Sequence, residues 1–126
     1  MTRPARFLSL CLAAVALAAA GCSEGEIEVA EDDPNRRGAE LFNERCSGCH
    51  TLDAANAFGS KPEGEIGGEE RTDGPNFNSR AVNEDDALFA IRNGGYSGSV
   101  MPANIVVGQD AEDVARFLAE YSGQKK

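Results

Sequence analysis

The stretch Cys46-Ser47-Gly48-Cys49-His50 decides how the rest of the chain is read. Two thiols two residues apart, followed at once by an imidazole, suit a thioredoxin-like redox pair, a zinc site, a small disulfide or a covalently attached porphyrin. Zinc wants four ligands. The chain holds four cysteines and one histidine, and Cys11 and Cys22 fall in or at the edge of an N-terminal leader, so the domain keeps only Cys46, Cys49 and His50. A thioredoxin fold needs a βαβ pattern that the flanks do not show. A disulfide across two residues explains neither His50 nor export. Covalent heme attachment needs two thiols spaced for two vinyl groups, with a histidine beside the second so that its imidazole lies under the iron. The spacing therefore predicts one heme c, bound through Cys46, Cys49 and His50.

Upstream, Arg3 and Arg6 precede an apolar run over residues 7–20, the order of a secretory leader and too short to span a bilayer comfortably. Ala19-Ala20-Gly21-Cys22 resembles the lipobox of bacterial lipoproteins, which implies a diacylglycerol thioether on Cys22 and a membrane anchor. Ala18-Ala19-Ala20 also satisfies ordinary leader peptidase, which would cut after Ala20 and leave Cys22 a free thiol. Residues 23–33 carry an acid at nearly every other position and read as a flexible linker, reaching on the order of 40 Å at ~3.3–3.6 Å per residue. The expected organisation is a leader over 1–21, an acidic tether over 22–34, one domain over 35–123 and a tail over 124–126.

The chain of 126 residues is 41% apolar but only 6% aromatic, with no Trp, so a bound group is expected to complete its core. Its net charge of −9 and scattered basic residues exclude nucleic acid as a natural partner. The acidity reads as a solvated surface, and it would also favour partners with a basic docking face. Val114, Phe117, Leu118 and Tyr121 recur at helical spacing, with Asp110 and Asp113 expected as cap and first-turn acid. Asn83, followed by Glu84, Asp85 and Asp86, opens a second helix carrying Leu88 and Ile91.

Residues 35–123 resemble the class I c-type cytochromes. The resemblance rests on the Cys46–His50 stretch, on Gly38-Ala39-Glu40-Leu41-Phe42 at the family's spacing before it, and on Leu118 and Tyr121, which match the family's aliphatic and aromatic pair. It implies an all-α cytochrome c fold of three or more helices around one covalently attached heme, the first and last crossing at Gly38. It implies that Met101, in Gly98-Ser99-Val100-Met101-Pro102, is the second axial ligand of the iron. His50 is the sole histidine, and Lys61, Lys125 and Lys126 are poor substitutes. Gly74-Pro75-Asn76-Phe77 resembles the family's Gly-Pro-x-Leu stretch, which implies that the Pro75 carbonyl accepts a proton from the second ring nitrogen of His50. Residues 51–73 are longer than usual in the family and rich in Gly and Glu, a mobile surface loop or an acidic lip that selects a partner.

The resemblance implies a monomeric electron carrier, not an enzyme, shuttling single electrons between membrane-associated redox complexes on the outer face of the cytoplasmic membrane or in the periplasm. Two alternatives stand beside it. One is a heme-based ligand sensor or weak peroxidase whose sixth ligand is displaceable, and the other is a fixed cytochrome subunit of a larger oxidoreductase.

Overall fold

Helix α1 (Arg36–Arg45) forms where Gly38, Ala39, Leu41 and Phe42 fall on one face, and all four are buried. Its start is not capped by the side chain of Asn35; the Asp33 carboxylate, two residues upstream, accepts the Asn35 amide at 2.7 Å. Helix α2 (Glu84–Asn93) opens as the sequence predicts. The Asn83 side chain accepts the Asp86 amide at 2.8 Å, and acids at 84, 85 and 86 face the positive end of the helix dipole. It closes on Gly94 in the left-handed conformation, φ 88°.

Helix α3 (Gln109–Tyr121) buries Ala111, Val114, Ala115, Phe117 and Leu118. Its start corrects the expectation for Asp110: Gly108 occupies the cap position with φ 58°, and Asp110 lies within the first turn. Asp113 sits one turn further in and accepts from Gln109 at 3.0 Å and from Arg116.

The computed structural model describes residues 25–60, 74–95 and 101–124. Within them α3 packs against both α1 and α2. The expected crossing of first and last helices is present at Gly38, where an added Cβ would lie 2.3 Å from the Asp113 carbonyl oxygen and 2.6 Å from Phe117 Cβ. Only glycine lets the two backbones approach this closely. Phe42 and Phe117 meet there with ring centroids 5.9 Å apart, both almost fully buried, each contributing roughly 1.5–3 kcal/mol through apolar burial. Among the described residues the helices are joined by a small ribbon after His50, in which β1 (Thr51–Leu52) pairs antiparallel with β2 (Ala57–Phe58) around a 3₁₀ turn, Asp53–Ala55, and Thr51 forms a parallel bridge with Asn76.

The acidic stretch expected as an open tether is docked over most of its length. Val29 is 2% exposed and belongs to the core, and Ile27 packs against it. The Glu28 amide donates to the Ala54 carbonyl at 3.0 Å, Arg36 Nη1 donates to the Val29 carbonyl at 2.7 Å, and the Tyr121 hydroxyl donates to Asp33 at 2.7 Å. Two apolar side chains at alternate positions repay the ordering of a segment that its acids alone would leave free. The leader, Cys22, residues 61–73, Gly98-Ser99-Val100, Lys61, Lys125 and Lys126 lie outside the described residues.

Candidate functional site

The turn that carries the two thiols continues α1. The amides of Cys46 and Ser47 both donate to the Phe42 carbonyl, and those of Cys49 and His50 both donate to the Cys46 carbonyl, at 2.8–3.1 Å. This winding puts the Cys46 side chain inward and the Cys49 side chain at the surface, and neither is in a disulfide. Burial pushes the Cys46 thiol up to about 12, with the neighbouring Cys49 adding to the shift, so Cys46 is held protonated at neutral pH.

His50 is 9% exposed. Its Nδ1 lies 3.2 Å from the Pro75 carbonyl oxygen, which has no proton to give, so Nδ1 donates and Nε2 carries the lone pair. Burial lowers the pKa of the ring, opposed in part by the Pro75 bond, and the neutral form is favoured. Phe77 stacks on the imidazole at 5.0 Å between centroids and 22° between planes, and Phe42 approaches at 6.2 Å and 51°. Gly74 closes the cradle: a Cβ there would lie 2.5–3.0 Å from three atoms of the His50 ring.

The segment bearing Gly74, Pro75 and Phe77 is sewn to the strand after His50. Gly74 donates to the Cys49 carbonyl and Phe77 to the Thr51 carbonyl, each at 2.8 Å, while Asn78 and Asp53 exchange two bonds at 2.8 and 2.9 Å. At its far end the Gly123 amide donates to the Phe77 carbonyl at 2.7 Å, tying the ring's support to the end of α3. The backbone therefore fixes both the position and the tautomer of His50.

These residues fit a porphyrin iron. Two reduced thiols, one buried and one exposed, flank a turn that ends in a neutral imidazole with its Nε2 lone pair available, and no room is left for a side chain at Gly74. Over residues 33–118, more than half of the chain, the sequence matches the family model described as cytochrome c oxidase, cbb3-type, subunit III. The chain belongs to the class I c-type cytochromes. Members of this family carry covalently bound heme c, and the spacing of Cys46 and Cys49 is the one that attachment requires. Among solved structures, the cytochrome is similar to the crystal structure of the c-type cytochrome SorU from Sinorhizobium meliloti. The two are 31% identical with a TM-score of 0.56, over 76% of this chain and 99% of that one. Curated proteins give no match. The all-α cytochrome fold is thereby established, and with it a heme-based electron-transfer role. Among the described residues no helix is long and apolar enough to cross a membrane.

In the cytochrome, Cys46 and Cys49 lie in the turn that leads into His50, and Pro75 stands against the His50 ring. Met101 stands on a separate element, the loop from α2 to α3, half-buried against the core. Its carbonyl oxygen would lie 2.8 Å from a Cβ at Gly94, and its Sδ 3.8 Å from one at Gly95. Both glycines have positive φ, so the chain turns sharply at the end of α2 and the Met101 segment returns close to that helix. A bond from the Asn104 amide to the Ile91 carbonyl at 2.8 Å holds the loop there. Sequence reasoning missed the Asp53–Asn78 clamp and the stacking of Phe77 on His50. Asparagines at 76 and 78 beside the Gly-Pro turn were the available signal.

Proposed function

We propose that this cytochrome is an exported, lipid-anchored single-electron carrier that works between membrane-associated redox complexes. Cys46 and Cys49 would hold the heme through two thioethers, His50 Nε2 and Met101 Sδ would hold its iron, and Cys22 would bear the lipid. When bound, heme c supplies a reversible one-electron iron couple. The protein holds that couple in place: the Pro75 carbonyl orients His50 and raises its basicity, and Phe42 and Phe77 keep water from the ring. The observation that carries the reading is the neutral, hydrogen-bonded imidazole set immediately after two thiols that are not in a disulfide. Ligation by both His50 and Met101 leaves no open iron position, which favours a carrier over a sensor or peroxidase.

The test is the visible spectrum of protein matured outside the cytoplasm, oxidised and reduced. The weak far-red band of sulfur-bound ferric iron is expected. Covalent heme without that band, together with ready binding of carbon monoxide by the ferrous protein, would replace the carrier with the sensor or peroxidase reading. A fixed subunit of a larger oxidoreductase is the second reading, favoured by the matched family's description as an oxidase subunit. Stoichiometric co-purification with an oxidoreductase would select it.

A further inference from the structure

We infer that residues 25–33 form a strap that sets which face of the cytochrome meets the lipid surface and how far from that surface it rides. The inference rests on the proposed lipid at Cys22. A free acidic tether gives a reach on the order of 40 Å and no preferred orientation. The strap removes most of that freedom. Gly25 already touches the domain, its carbonyl accepting from the Asn56 side chain. Ile27 and Val29 are packed on the core, Glu28 is bonded to Ala54, and the end of the strap is fixed by Arg36 and Tyr121. From Cys22 to Gly25 the chain spans three Cα–Cα steps, at most about 11 Å.

The anchor point on the domain is consequently the 3₁₀ turn and Asn56, and that edge of the ribbon faces the headgroups. The turn is itself held to α1, since Asn43 donates to the carbonyls of Ala55 and Asn56 at 2.9 and 3.0 Å. Strap and helix therefore move as one body. Glu31 is paired with Arg36 and Asp33 is bonded to Tyr121, whereas Glu26 and Glu28, next to Gly25 in the strap, and Asp53 in the turn carry negative charge at this edge. On an anionic membrane they push the domain outward over about a Debye length, ~8 Å at physiological ionic strength, close to the full length of the leash. Such a carrier exchanges electrons by lateral diffusion at a set height and orientation, not by swinging across a wide arc.

The experiment uses the full chain, matured with its heme, on vesicles of phosphatidylethanolamine and phosphatidylglycerol carrying a headgroup dye that heme absorption quenches. Partition into the vesicles reads the lipid; quenching reads the height; cleavage by a Glu-specific protease at Glu26 and Glu28 reads the docking. Strong quenching and slow cleavage are expected for the native chain. Val29→Asp should accelerate cleavage at least tenfold and weaken quenching. Inserting twelve Gly and Ser residues between Ser23 and Glu24 should weaken quenching with cleavage at Glu26 and Glu28 still slow, which keeps the test valid should Val29→Asp misfold. Native protein that partitions but is cut quickly, or whose quenching is indifferent to the insertion, overturns the strap with the anchor intact. Protein that does not partition overturns the anchor and the strap's membrane role with it, while slow cleavage would still record the docking itself.

Discussion

The two sides of the site are built differently. His50 is held by backbone bonds from the segments at 49–51 and 74–77, by a ring stacked on its own, and by a glycine with no room for a substituent. Met101 hangs on a loop whose neighbours Pro102, Ala103 and Asn104 are exposed, and whose Val107 is 64% exposed, tied to α2 through the Asn104 amide. The contrast teaches that one proposed ligand is positioned by the fold's central packing, whereas the other proposed ligand lies on a segment that can vary with little cost to that packing. Changes on the His50 side should therefore cost stability first, and changes on the Met101 side should alter ligation first.

The largest loss of stability is expected from Gly38→Ala. Helix propensity favours alanine there by about 1 kcal/mol, but the Asp113 carbonyl at 2.3 Å cannot move without moving α3. Overpacking of this kind costs about 1–3 kcal/mol or more, so a net loss near the upper end, about 2 kcal/mol, should appear in thermal or denaturant melting of the holoprotein. Gly74→Ala comes next, at roughly 1–2 kcal/mol. It should also shift the electron paramagnetic resonance spectrum of the ferric protein, because the new methyl turns the His50 ring against Phe77. Met101→Ala removes a half-buried side chain and should cost about 1 kcal/mol in packing. It should abolish the far-red band and open the ferrous iron to carbon monoxide. A larger loss of stability from Met101→Ala than from Gly74→Ala would break the comparison.

The smallest effect is expected where the strap meets α3. Tyr121 is pushed up to about 12, first by its bond to Asp33 and then by burial, so its contribution is complete below pH 10 and is lost as pH rises from 10 towards 12. Asp33 is lowered from 3.8, first by the Asn35 amide and then by Tyr121; its contribution is present above 3.8 and is lost as pH falls through its folded value below that. Solvent screens both groups, and the amplitudes are small. Tyr121→Phe should flatten the alkaline limb of a stability–pH profile measured in urea and reduce the acid limb, with the His50 side unaffected.

Much of the helical frame was legible because periodicity and capping are local: Asn83 opens α2 as expected, and Val114, Phe117 and Leu118 form the buried face of α3. The placement of His50 against Pro75 was legible for a different reason, since a short resemblance carries a hydrogen bond that no periodicity encodes. The start of α3 was misread because an aspartate near a helix start is a common cap, whereas here Gly108 with positive φ makes the turn. The docking of residues 25–33 was illegible for a physical reason. Composition reports the acids, but the fate of the segment depends on two apolar side chains finding a surface made by Ala54, α1 and α3, distant in sequence.

The unequal exposure of the two thiols bears on the order in which this molecule comes into being. Cys49 is exposed, but Cys46 is 8% exposed beneath the end of α1. With Cys46 inside the core and Cys49 at the surface, the two attachments would not be equivalent: the packing around Cys46 would have to open to admit a porphyrin vinyl group, so that thioether would precede final packing.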